Sequence, residues 1–142
     1  MKSLKNNYLI CLISIFAICG CATTGNKAFK TSESQVELRS IQTRAFDMTD
    51  KKLMMQTVIS TLQDLDFVVR KADLILGSVT GSKFLGNAVV AMTVTIRPRG
   101  EKQLLVRVNA QIGIRSVEDA ETYQDFFNAL GKALFLAAHK VD

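Results

Sequence analysis

Gln103-Leu104-Leu105-Val106-Arg107-Val108-Asn109-Ala110-Gln111-Ile112-Gly113-Ile114-Arg115 is the stretch that decides the fold. In an extended chain Leu104, Val106, Val108, Ala110, Ile112 and Ile114 point one way. Gln103, Leu105, Arg107, Asn109, Gln111 and Arg115 point the other. One apolar and one wetter face predict an antiparallel sheet covered on a single side. Just upstream, Val90, Met92, Val94 and Ile96 alternate with Ala91, Thr93, Thr95 and Arg97 in a second such strand. Pro98-Arg99-Gly100-Glu101-Lys102 is the turn between the two, and strands joined by short turns predict a meander.

Working back toward the N-terminus, Ser78-Val79-Thr80-Gly81-Ser82-Lys83 reads as a strand and Phe84-Leu85-Gly86-Asn87 as a turn carrying two apolar residues. Phe67-Val68-Val69-Arg70 reads as another strand, followed by a bend over 71–76 that closes at Gly77. Before it, Met54, Val58, Leu62 and Leu65 recur at helical spacing, with Met55 and Ile59 widening the stripe. This predicts an amphipathic helix over 50–65, capped by Thr49, whose methionines serve the core. Ile41-Gln42-Thr43-Arg44-Ala45-Phe46, within a β-prone segment over 38–47, is the expected first strand.

Beyond the deciding strand, Ser116 is the expected cap of a last helix with Glu118 and Asp119 in its first turn. Ala120, Tyr123, Phe127, Leu130, Leu134 and Ala137 form its apolar face, broadened by Phe126 and Phe135. The predicted order is β-α-β-β-β-β-α, an α+β fold with two helices on the apolar side of an antiparallel sheet.

The first 21 residues carry a different message. Lys2 and Lys5 precede an apolar run over 8–18 broken only by Ser14, and the small Gly20 precedes Cys21. Charged start, short apolar run and small residue before the cut form the layout of a signal peptide. The run of 11 residues is too short to span a bilayer, which takes ~20. Ile18-Cys19-Gly20-Cys21 resembles the bacterial lipobox, which implies signal cleavage between Gly20 and Cys21 and diacylglycerol and acyl (palmitate-type) lipidation of Cys21. Ala22, in the place where Asp favours inner-membrane retention, implies by the same resemblance an outer-membrane destination.

The expected domains are therefore a signal peptide over 1–20, a small and polar tether over 21–37, and one α+β domain over 38–142. Cys11 and Cys19 leave with the signal, so the mature chain has no thiol pair for an internal disulfide. Loss of Lys2 and Lys5 lowers the formal charge from +5 to +3. That suits a protein near anionic headgroups and is too small to argue for nucleic-acid binding.

The order of elements matches the helix-grip arrangement. The stretches Gln42-Thr43-Arg44-Ala45-Phe46-Asp47, Thr61-Leu62-Gln63-Asp64-Leu65-Asp66-Phe67, Tyr123-Gln124-Asp125-Phe126-Phe127 and Ala133-Leu134-Phe135-Leu136 resemble a family of small bacterial lipoproteins without assigned chemistry. The similarity covers about 37–142. The second of those stretches, followed by Gly77-Ser78-Val79-Thr80, also resembles the helix-grip domains of the BamC lipoprotein of the outer-membrane β-barrel assembly machinery. Neither resemblance implies catalytic residues.

The residues themselves offer no catalytic set. His139 is the only histidine and sits three positions from the end, where a helix-terminal role explains it. Asp64 and Asp66 fall at a helix-to-strand junction without a base. Gly77-Ser78-Val79-Thr80-Gly81 lacks the lysine and helix of a phosphate loop, and no Cys/His spacing suits zinc. The expectation is a non-enzymatic, lipid-anchored envelope protein facing the periplasm, with no metal or cofactor. Its expected interaction surface comprises Leu85, Thr93, Arg97 and Arg107, with Arg99 and Arg115 close by, and an envelope protein is the expected partner. The alternative is a small-ligand or lipid carrier using the groove between the last helix and the sheet.

Overall fold

The computed structural model describes residues 34–139, within a compact unit that starts at Ser34. The expected signal peptide, Gly20, Cys21 and most of the tether lie outside the described residues. The chain forms α1 (residues 34–41), β1 (Thr43–Phe46), α2 (Lys51–Asp64), β2 (Val68–Asp73), β3 (Ser78–Leu85), β4 (Ala88–Arg99), β5 (Gln103–Ile112), β6 (Arg115–Ser116) and α3 (Ala120–Ala138). Every strand pair is antiparallel, in the order β1-β5-β4-β3-β2, with β6 also pairing β5. The fold is α+β, as the alternation predicts.

The core lies between one sheet face and the two long helices. Val90, Met92, Val94 and Ile96 of β4 and Leu104, Val106, Val108 and Ala110 of β5 are buried in it. They meet Met54, Val58 and Leu62 of α2 and Tyr123, Phe126, Phe127 and Leu130 of α3. Ile112 and Ile114 continue the period but leave the core. The strand ends at Ile112 and the chain turns at Gly113, whose φ is +60°.

Several local readings need correction. Residues 38–41, read as the start of a strand, are helical, as are residues 34–37, read as tether; Gln42 N–H donates to Leu38 C=O before β1 begins. The cap of α2 is Asp50, not Thr49: its Oδ1 accepts from Leu53 N–H at 2.9 Å. The cap of α3 is Asp119, not Ser116, which is used up pairing with Gln111. Asp119 Oδ2 accepts from both the N–H and the hydroxyl of Thr122. These two bonds hold its carboxyl below the usual aspartate range. Polar residues close together, Thr49 and Asp50 or Ser116 and Asp119, each suit a cap, and spacing to the first free N–H decides between them.

The bend expected over 71–76 is half strand. β2 runs on to Asp73 because the register slips between Val69 and Lys71, a bulge that absorbs one residue. A loop over 74–77 follows, exposed at 74–76 and buried at Gly77, and β3 runs on through Phe84 and Leu85 so that only Gly86 and Asn87 remain in the hairpin turn. Gly86 has φ +59°, as the first position of a II′ turn requires.

Candidate functional site

Strand parity builds two distinct surfaces. On the face away from the helices stand Ser78, Thr80 and Ser82 of β3, Ala91, Thr93, Thr95 and Arg97 of β4, and Leu105, Arg107, Asn109 and Gln111 of β5. None of them is buried, and no described element covers them. A hydroxyl pair, Thr80 Oγ1 to Thr93 Oγ1 at 3.3 Å, bridges the middle of this face. Toward the β5 side Thr95, Arg97, Leu105, Arg107 and Asn109 line a shallow depression of about 280 Å³.

Thr95 is directly opposite Arg107 and Arg97 opposite Leu105, so the two guanidinium groups sit diagonally on adjacent strands. Arg107 Nε is shut away from solvent and has no hydrogen-bond partner. A buried donor without a partner is costly and unusual. Two cations at this separation also raise the local positive potential.

The expected interaction surface is thus assembled in part. Thr93, Arg97 and Arg107 share the open face, and Thr93 is directly opposite Asn109. Leu85 does not join them. Its neighbour Phe84 pairs with Val89 on the open side, while Leu85 falls on the helix side at the sheet end. Arg115 is also separate, since its pairing with Ile112 gives it the helix-side parity. Arg99 keeps the open-face parity at the far end of β4, opposite Gln103.

The second surface is a groove of about 250 Å³ between α3 and the sheet. Leu85, Phe67, Val90, Met92, Ile112 and Phe126 supply its apolar lining, with Lys83 and Asp125 as its charged members. Lys83 Nζ donates to Leu65 C=O at 3.2 Å and stands over the Phe67 ring at 4.7 Å. The groove opens beside Phe126. It does not run beneath Tyr123, Phe127 and Leu130, which are packed into the filled core.

A groove between the last helix and the sheet was expected for the carrier alternative, but its lining was not, because five separate segments supply it. Only Leu85 drew attention, as an apolar residue in a turn. Asn109 and Leu105 of the open face were visible in the alternation of β5. What no pattern announces is that Arg107 Nε is sealed off without a partner.

Among the described residues no three His, Cys, Asp or Glu side chains gather as metal ligands. Asp66 has φ +65° and ends α2: its N–H donates to Gln63 C=O while Phe67 N–H donates to Leu62 C=O. That is a Schellman cap, and it accounts for Asp66 structurally. His139 is the C-cap of α3, its ring stacked on Phe135 at 4.2 Å with Nδ1 2.8 Å from Phe135 O. No described helix is long and apolar enough to cross a membrane. Compared with known proteins, the chain matches no family model, and no curated protein is significantly similar to it.

Proposed function

We propose that this chain is a lipid-anchored, non-catalytic interaction protein of the bacterial envelope, held at Cys21 and facing the periplasm at the outer membrane. In this reading the domain docks an acidic segment of an envelope protein on its open sheet face. One observation carries it: a broad uncovered sheet face on which Arg97 and Arg107 stand diagonally on adjacent strands. Neutral polar side chains around the two cations suit reversible association, in which charge sets on-rate and register. The lipobox-like Ile18-Cys19-Gly20-Cys21 supports the anchor. Two or more acyl chains suffice for stable attachment.

The test is photocrosslinking in cells with probes replacing Thr93 and Asn109, which flank Arg107 on the open face. A discrete protein adduct from both positions is the expected result. Diffuse adducts from both would overturn the docking reading.

A lipid or small-ligand carrier is the second reading, favoured by the apolar groove with Lys83 at its side. Its volume suits a short acyl chain or a small apolar body, with the ammonium near an anionic head. Native mass spectrometry of protein extracted from membranes tests it. A stoichiometric amphiphile lost on Met92→Trp, which fills the groove, is the outcome this reading requires.

A further inference from the structure

Two adjacent turns at one end of the sheet leave large apolar side chains in solvent. In the β3–β4 hairpin Phe84 is 76 % exposed and Leu85 61 %; in the turn between β5 and β6 Ile114 is 100 % exposed. Val89 and Ile112 are partly exposed between them. Gly113 N–H donates to Val89 C=O at 3.3 Å, so the two turns form one tip. An apolar cluster of this kind on a soluble surface marks a place that meets another apolar phase. The charged residues within 83–90 and 111–116 are Lys83 and Arg115, both cationic, with no carboxylate among them.

The start of the described chain lies at this same end. Ser34 lines a surface depression with Glu118 and Ala120. Their neighbour Val117 lines the groove together with Leu85 and Ile112. Only 12 residues separate Ser34 from Cys21. The opposite end of the sheet, where Ile96 N–H meets Gly77 C=O, is separated from the tip by most of β4, about 25–30 Å at strand rise.

We propose that the tip formed by Phe84, Leu85, Ile112 and Ile114 is a second membrane contact, seated in the phospholipid surface that carries the Cys21 anchor. The proposal rests on the lipid-anchor reading above. Phe84, Leu85 and Ile114 enter the interface between headgroups and acyl chains, and Lys83 and Arg115 reach the phosphates with their apolar stems alongside. A lipid anchor at one point leaves a domain free to tumble. A tether plus this tip fixes it upright, with the exposed Leu74-Ile75-Leu76 loop directed away and the open face with Arg107 turned sideways into the periplasm. The tip joins the anchor at high effective concentration, so modest affinity is enough.

The chain contains no tryptophan, which makes the test direct. The full-length acylated protein is prepared as Ile114→Trp and, separately, as Ile75→Trp, both at highly exposed positions. Each is reconstituted in phosphatidylethanolamine–phosphatidylglycerol vesicles with acyl chains brominated to quench buried indole. The expected result is a blue-shifted, strongly quenched emission from Ile114→Trp and a solvent-like, unquenched emission from Ile75→Trp. Adding Phe84→Ser and Leu85→Ser to Ile114→Trp is expected to restore most of the emission.

Co-flotation with vesicles but solvent-like emission from Ile114→Trp overturns the tip contact and leaves the anchor standing; a protein partner then becomes the occupant to seek. Quenching at both positions, or at Ile75→Trp alone, overturns the orientation and with it the proposal. Failure of the unsubstituted protein to co-float overturns the anchor and the tip contact together.

Discussion

Gln42 Nε2 donates to the phenolic oxygen of Tyr123 at 3.1 Å, joining the start of β1 to α3 inside the core. The same oxygen accepts from Ala110 N–H at 3.3 Å and donates to Val117 C=O. Gln42 C=O meanwhile accepts from Val108 N–H. β1 and β6 each cover only part of the β5 edge, and Gln42 and Tyr123 supply the partners over the gap between them. Tyr123→Phe keeps the ring and leaves two buried polar groups, Gln42 Nε2 and Ala110 N–H, and the part-buried Val117 C=O short of a partner. The expected cost is about 1–3 kcal/mol in urea unfolding. A double-mutant cycle with Gln42→Leu is expected to show coupling, because the second change removes a donor that the first has orphaned.

Gly77 and Gly86 both have positive φ, +68° and +59°, but only one is hemmed in. A Cβ on Gly77 would meet Ile96 O at 2.4 Å and Lys51 Cε at 2.7 Å, whereas a Cβ on Gly86 meets nothing within 4 Å. Gly86→Ala therefore carries backbone strain alone, about 1–2 kcal/mol. Gly77→Ala adds a clash with sheet backbone and disturbs the Ile96–Gly77 hydrogen bond. Unfolding of the two variants side by side is expected to rank Gly77→Ala clearly lower. Equal losses would mean the loop shifts freely.

Asp66 holds a left-handed conformation at the end of α2 that glycine adopts without a Cβ penalty. Asp66→Gly keeps both cap hydrogen bonds and is expected to raise stability by up to about 1 kcal/mol, the strain relieved less the added chain entropy. The same variant is expected to leave crosslinking through Thr93 and Asn109 unchanged, because the cap makes no part of the open face.

Strand alternation made the sheet legible: Val90 to Ile96 and Leu104 to Ala110 are buried with the expected parity. Such periodicity survives because each strand is covered on one side only. Boundaries were less legible where neighbouring residues compete for one job, as Thr49 and Asp50 do for a cap. The bulge between Val69 and Lys71 hid the second half of β2, since a register slip breaks the period that would announce it. Phe84 and Leu85 stood out by composition, but whether they share a face with Arg107 depends on strand length. Extending β3 by two residues sends them to opposite sides.

Asp119 gives the fold a small pH dependence of known sign. The Thr122 N–H and hydroxyl stabilise the ionised carboxylate, so its folded pKa lies below the unfolded value. A depressed carboxylate pKa contributes stability that is present above the unfolded pKa and is lost as pH falls through the folded one. The loss therefore begins below about pH 4, the ordinary aspartate value. Asp119→Asn still accepts from Thr122 N–H but does not titrate. Its stability, relative to the parent, is expected to improve as the pH is lowered from neutral to 3. A constant difference across that range would remove Asp119 from the account.

Arg107→Met separates stability from docking. Methionine matches the apolar stem of arginine, so it keeps the contacts with the neighbouring strands and deletes the buried, unpartnered Nε. Replacing a buried polar group without a partner by an apolar one of similar shape is neutral or stabilising. Urea unfolding of Arg107→Met is therefore expected to match the parent or exceed it by about 1 kcal/mol. Docking is expected to respond the opposite way. The guanidinium that an acidic segment would meet is gone, and the crosslinked adduct at Thr93 and Asn109 should fall by about tenfold or more, in line with loss of a charge-assisted bond. Arg107→Lys discriminates further, because an ammonium keeps the charge but cannot reproduce the planar fork, and is expected to restore only part of the adduct. If Arg107→Met lowers stability by several kcal/mol, the side chain is a structural member of the sheet. If it leaves the adduct at parental level, the partner binds elsewhere on the face.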